Sequence, residues 1–193
     1  MNHTFQPTLP LPAVDDPGLR AAVQAALDAK TKPHGALGRL ETLALQLALA
    51  QGSERPRLHA PQLVVFAADH GIAAQGVSAY PPEVTRQMVL NFLAGGAAVS
   101  VLARQHCIAL TVADCGVAAE FTAHPQLVRL KVEGAERGSA DASCGPALEA
   151  AACRQAIVQG RALVEGLPGN ALLLGEMGIG NTSSAALLMA RLT

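Results

Sequence analysis

The sequence predicts an α/β protein: a doubly wound parallel sheet with helices on both faces, preceded by amino-terminal helices that belong to a smaller domain. Three observations carry this. Short apolar runs that read as buried strands, QLVVFAADHG and IALTVADCG among them, alternate with amphipathic stretches at helical spacing. Three of these runs end in polar residues, Asp69-His70-Gly71, Asp114-Cys115-Gly116 and Gly175-Glu176-Met177-Gly178, and parallel sheets gather their chemistry at strand carboxyl ends. Aromatic residues make up only 3% of the chain against 18 glycines, so an Ala-, Leu- and Val-rich core suits helices packed closely on a sheet better than an all-β sandwich.

In chain order, Met1–Val14 is Pro-rich and reads as an extended arm. Asp16 followed by Pro17 starts a helix to about Lys30, because Asp caps free amides and Pro is tolerated at the first helical position. TKPHGALG breaks it. A second helix covers about Leu37–Ala50, with Leu40, Leu43, Leu47 and Ala50 on one stripe and Gly52 as its stop. The first strand ends at Asp69-His70-Gly71. Helices follow at about Pro82–Leu93 and Ala97–His106, with Cys107 where a helix end prefers a left-handed glycine. IALTVADCG and LVRLKV are the second and third strands, Gly145–Glu165 a long helix, and NALLLGEM a buried fourth strand that turns through glycines into a last helix. The domain boundary falls near residue 55: 1–55 is the arm and small-domain helices, 56–193 the amino-terminal part of the α/β domain. Four strands make a thin sheet, and a helix running straight to Thr193 suggests the first part of a longer protein.

Composition excludes several classes. Half the 193 residues are hydrophobic and 15% are charged, which is incompatible with intrinsic disorder. Fourteen Lys and Arg against 15 Asp and Glu leave a net charge of −1, a poor match for nucleic acid. Mean hydropathy is +0.29, yet no unbroken apolar run approaches the roughly 20 residues of a bilayer span. The four cysteines form no C-x-x-C pair, the start shows no signal-peptide pattern, and reduced thiols in the cytoplasm are expected.

GEMGIGNTSSA, Gly175–Ala185, is the most informative segment. Glycines let the backbone approach a ligand, amides at a helix start hold anions, and Asn181 or Thr182 supplies the cap. A plain strand–turn–helix corner would look similar. Glu176 would repel a phosphate, so it should face something cationic, such as a ribosyl centre developing positive charge.

GEMGIGNTS, taken with KTKPHGALGRLE (Lys30–Glu41), FAADHGI (Phe66–Ile72), GVSAYPPEVTRQMVLNF (Gly76–Phe92), GGAAVSVLA (Gly95–Ala103) and DCGV (Asp114–Val117), resembles the nicotinate-nucleotide:dimethylbenzimidazole phosphoribosyltransferases of cobalamin lower-ligand synthesis. The six motifs stand in the family's order from about residue 18 to 192. The resemblance implies transfer of phosphoribose from nicotinate mononucleotide to dimethylbenzimidazole, giving α-ribazole phosphate and nicotinate with inversion. It implies a homodimer with no metal and no cofactor, and a family chain much longer than this one whose catalytic base is a glutamate in the carboxyl-terminal half. Carried onto this sequence, Glu176 is the active-site carboxylate. Gly175, Gly178, Ile179, Gly180, Asn181 and Thr182 bind nicotinate mononucleotide, and Ser78, Tyr80, Pro81 and Met88 line the benzimidazole pocket.

Other readings stay open. Met88 also fits ordinary helix core. His70 and Asp69 read as loop organisers, and Asp114 as a crevice residue or a cap. Arg39 and Glu41 form an exposed ion-pair face or small-domain packing. His34, Ala36 and Ser183 depart from the family pattern, and Asp141 stands where Asn is usual. Should the chain truly end at Thr193, a non-catalytic module binding a nucleotide or an aromatic base is the alternative.

Overall fold

The computed structural model describes residues 14–193, so nearly all of the expected arm lies outside the described residues. The described residues fall into two compact units, 14–57 and 58–193.

The first unit is a helix pair, α1 (Pro17–Asp28) and α2 (Arg39–Gln51). Asp16 Oδ1 accepts the Leu19 amide at 2.9 Å with Pro17 at the first position, and Gly52 closes α2 in the left-handed conformation at φ 60°. Val23 and Ala48 are buried in this unit. The connection is pinned by Lys32 Nζ, 2.9 Å from Glu41 Oε1, with both side chains only 11% exposed. Glu41 Oε1 also accepts the Leu37 amide, and these two bonds hold its carboxyl below the usual range. Glu41 therefore closes the α1–α2 connection and does not belong to an exposed ion-pair face, whereas Arg39 is exposed.

The second unit is built on a four-stranded parallel sheet of β1 (Gln62–Ala68), β2 (Ala109–Gly116), β3 (Leu127–Arg129) and β4 (Leu172–Met177), in the order β3-β2-β1-β4. Helices α3 (Glu83–Leu93) and α4 (Ala98–Gln105) cover β1 and β2, and α5 (Ala150–Glu165) and α6 (Asn181–Leu192) flank β4 in sequence. Val65, Ala67, Val89, Phe92, Ala97, Ala103, Leu110, Val112, Val117 and Phe121 form the main core. The apolar stretch Glu83–Gln105 is interrupted between Leu93 and Ala98, so its two helices have 11 and 8 residues, each short of the roughly 20 a bilayer span needs.

Four expectations change. β3 keeps only three residues of LVRLKV: its last ladder bond is the Leu130 amide to the Asp114 carbonyl at 2.8 Å, and beyond it the Lys131 ammonium reaches the carbonyls of Val117 and Ala119 at 2.8 and 2.9 Å. α5 starts at Ala150, not Gly145: Ser143 and Cys144 fold back onto Asp141 and hold that segment in a turn. β4 is not buried. It pairs only with β1 among the described residues, and Leu174 is 68% exposed. α6 is capped by Gly180 at φ 89°, and Asn181 is its first residue, its side chain shared between Glu176 and the Thr182 amide. Cys107 does occupy the left-handed helix end at φ 53°.

Because Phe92 is 6% exposed at the centre of the main core, Phe92→Ala should destabilise the protein by about 3–5 kcal/mol. Urea unfolding followed by circular dichroism checks this; a loss below about 1 kcal/mol would mean that α3 is not fixed on the sheet.

Candidate functional site

β1 lies at the centre of the sheet. The chain leaves it toward β2 on one side, while β4 arrives on the other, with Phe66 opposite Glu176 and Ala67 opposite Met177. A crevice opens beyond the strand ends at such a switch point. Into it run Asp69 and His70 after β1, and the turn Gly178–Gly180 after β4.

The turn is held from both flanks. The Ile179 amide donates to Thr85 Oγ1 at 3.1 Å, with Thr85 fully buried on α3. Ser184 Oγ, in the first turns of α6, is hydrogen-bonded to His70 Nδ1 at 3.1 Å. Gly178 permits the contact: a Cβ there would strike the Ala68 carbonyl and come within 2.8 Å of the His70 ring. Burial pushes the His70 imidazole below its ordinary value, against the raising pull of the Glu176 and Asp69 carboxylates, so the ring is neutral at pH 7.

Glu176 sits at the end of β4 and is exposed. Asn181 Nδ2 reaches both of its carboxylate oxygens, at 2.7 and 2.8 Å, while Asn181 Oδ1 accepts the Thr182 amide at 2.8 Å. One amide thus fixes the carboxylate and the start of α6 together. Glu176 and Gly175 also line a cavity of about 280 Å³ whose other walls are Val65, Met88, Phe92, Ala97, Ala98 and Val99. An apolar slot with one carboxylate at its edge suits a flat aromatic base.

The structure therefore brings Gly175, Glu176 and Met88 to one cavity, and Gly178, Ile179, Gly180, Asn181 and Thr182 to the adjoining turn. Met88 packs against the main core and also lines the cavity. Ser78, Tyr80 and Pro81 do not line it: Ser78 Oγ accepts the Tyr80 amide at 3.2 Å, and Tyr80 is 67% exposed. Asp69 and Asp114 organise strand ends. Asp69 Oδ2 takes the Ala118 amide at 2.7 Å, and the buried Asp114 takes the amides of Gly116 and Val117 at 3.1 and 2.9 Å with Lys131 Nζ at 3.5 Å. Burial, then the Asp114 charge, pushes the Cys115 thiol up to about 11, leaving it protonated. Asp141 is absorbed by its own loop, accepting from Ser143 and from Gln75, which holds its carboxyl down at about 2. Among the described residues no three of His, Cys, Asp and Glu converge as metal ligands.

Thr85 went unrecognised in the sequence. Its signal is a hydroxyl residue on the same helical face as Met88, Val89 and Phe92, where a polar group must have a specific partner.

A parallel sheet whose switch point carries a clamped carboxylate, a glycine turn and an apolar slot defines an α/β protein with a candidate small-molecule site at its strand ends. Residues 13–193 match a phosphoribosyltransferase family model. The chain is 64% identical over 179 residues to a nicotinate-nucleotide–dimethylbenzimidazole phosphoribosyltransferase of Variovorax paradoxus, covering 93% of this chain and 50% of that protein. It is 54% identical over 186 residues to the protein of that name from Cupriavidus taiwanensis, covering 95% and 53%. A crystal structure of nicotinate-nucleotide–dimethylbenzimidazole phosphoribosyltransferase from Thermus thermophilus superposes with a TM-score of 0.80 at 46% identity, covering 92% of this chain and 54% of that one. The chain belongs to this phosphoribosyltransferase family, as the motifs implied, and spans about half the length of the curated relatives it matches.

His70 generates a pH prediction. Its folded-state value lies below the ordinary 6.5, so the unfolded chain takes up this proton first as pH falls. The stability contributed by the neutral ring is complete above pH 6.5 and is lost as pH falls below it. The decline in Tm between pH 7 and 5 should be shallower in His70→Asn than in wild type, as differential scanning fluorimetry would show; equal slopes would mean that the ring titrates normally.

Proposed function

We propose that the protein carrying this chain transfers phosphoribose from nicotinate mononucleotide to dimethylbenzimidazole, yielding α-ribazole phosphate and nicotinate. The single observation that carries this is the meeting of Glu176, an apolar slot containing Met88, and the glycine turn at one strand-end crevice. The names borne by the relatives favour an enzyme over a non-catalytic binding module.

In this reading the glycine turn cradles the nucleotide, and the slot takes the incoming base. The bond from the anomeric carbon to the pyridinium nitrogen breaks, and its electron pair returns to that nitrogen, neutralising the leaving ring. A benzimidazole nitrogen supplies the pair for the new bond on the opposite face. Glu176, held by Asn181, stabilises the positive charge that grows on the ribosyl centre. The other benzimidazole nitrogen must give up its proton, and by the family resemblance a glutamate in the carboxyl-terminal half takes it. The enzyme works as a homodimer in the cytoplasm.

In the complete protein, Glu176→Gln should lower kcat about 100-fold or more with little change in KM for nicotinate mononucleotide, because the lost charge acts in the transition state. Steady-state kinetics with chromatographic detection of α-ribazole phosphate tests this, and unchanged kcat removes Glu176 from the mechanism. Met88→Gln should raise KM for dimethylbenzimidazole about 10-fold, since it puts an amide in an apolar slot at a cost of about 1–3 kcal/mol. An equal rise for both substrates would make Met88 core alone.

A further inference from the structure

A second cavity, of about 350 Å³, opens over the carboxyl ends of β1 and β2. Asp69, His70, Glu83, Arg86, Arg137 and Ser139 supply its polar lining, and none of residues 175–182 reaches it. Its roof is the 137–141 segment, seated unusually close to the end of β1. The Gly71 amide donates to the Ser139 carbonyl at 2.9 Å, and the Ser139 amide to the Asp69 carbonyl at 3.1 Å. Gly138, at φ 104°, lies where any Cβ would strike the Asp69 carbonyl, and a Cβ on Gly71 would come within 2.6 Å of the Asp141 nitrogen. Backbone this close leaves the roof little freedom, so Arg137 is aimed by rigid structure although it stands on a loop.

Arg86 and Arg137 share a second property. Arg129 donates to the Phe121 carbonyl at 2.6 Å and Arg161 to Glu165 at 2.6 Å, but neither guanidinium of the cavity meets a carboxylate or carbonyl among the described residues. Arg86 does not pair even with Glu83, one helical turn away on α3. The opposite wall lacks a donor: Asp69 Oδ1 is buried with no partner. Two free guanidiniums match a phosphate or carboxylate in bidentate fashion. Two carboxylates beside them oppose a polyanion and welcome hydroxyl donors.

We propose that this cavity is a binding site for a sugar phosphate, its phosphate held by Arg86 and Arg137 and its hydroxyls by Asp69 and Glu83, separate from the glycine turn. It goes beyond the transfer reaction, because it adds a phosphate site where that reading places none.

The test is calorimetric titration of the complete protein with ribose 5-phosphate, and with ribose and inorganic phosphate as separate probes. Ribose 5-phosphate should bind more tightly than either probe. Arg86→Gln and Arg137→Gln should each weaken it at least 10-fold, since each removes a charged hydrogen-bond donor from the phosphate. Both side chains are exposed, so these variants should fold, and their KM for nicotinate mononucleotide should stay within twofold of wild type. Absent binding, or binding indifferent to both substitutions, overturns the proposal. So does a parallel rise in that KM, which would place the substrate's own phosphate here. Failure of the transfer reading would show instead as unchanged turnover in Glu176→Gln.

Discussion

The structure turns on how closely the Gly178 turn approaches the end of β1. Without a side chain, Gly178 lies against the Ala68 carbonyl and the His70 ring, and the turn into α6 starts from that contact. Thr85 and Ser184 then need only one hydrogen bond each to fix the turn, at 3.1 Å in both cases. Glu176 follows, since the turn determines where α6 begins and hence where the Asn181 amide can reach the carboxylate. The polar network is small, but it is anchored on the main core through α3, where Thr85 shares a face with Val89 and Phe92.

Sequence reasoning reached the strands and helix ends because those depend on local chemistry. Asp16-Pro17, Gly52 and left-handed Cys107 each satisfy backbone groups within a few residues, so spacing alone reveals them. It reached Glu176 as an acid inside a glycine turn at a strand end and Met88 through the family motif Gly76–Phe92, and the two line one cavity. It erred where a distant or newly recruited partner decides. Lys131, expected in β3, lies beyond it with its ammonium on carbonyls in the 117–119 segment, and Asn181 stands inside α6 with its amide shared between Glu176 and Thr182. The burial of β4 could not be read from its leucines, because an apolar run says only that a strand wants cover and not whether the described residues provide it.

Electrostatically, the site pairs groups of opposed character. His70 is kept neutral by burial beside two carboxylates that would otherwise charge it, while Asp114 has its charge met by two amides and Lys131. The strand ends are therefore braced by a neutral ring just after β1 and a neutralised carboxylate on β2. Cys115, with its thiol pushed up to about 11, adds no reactive nucleophile beside them.

The central place of β1 makes its length a datum for the whole crevice. It is paired on both sides, Phe66 lying opposite Ala113 on one neighbour and Glu176 on the other. Deleting one residue between Gln62 and Ala68 would draw Asp69 and His70 back by about 3.3 Å and turn each following side chain to the other face of the sheet. His70 would lose Ser184 and Asp69 would lose Ala118 in the same step. Substitution in this strand is graded by volume, but a change in its residue count is all-or-none, so insertions and deletions compatible with the site are confined to the connections.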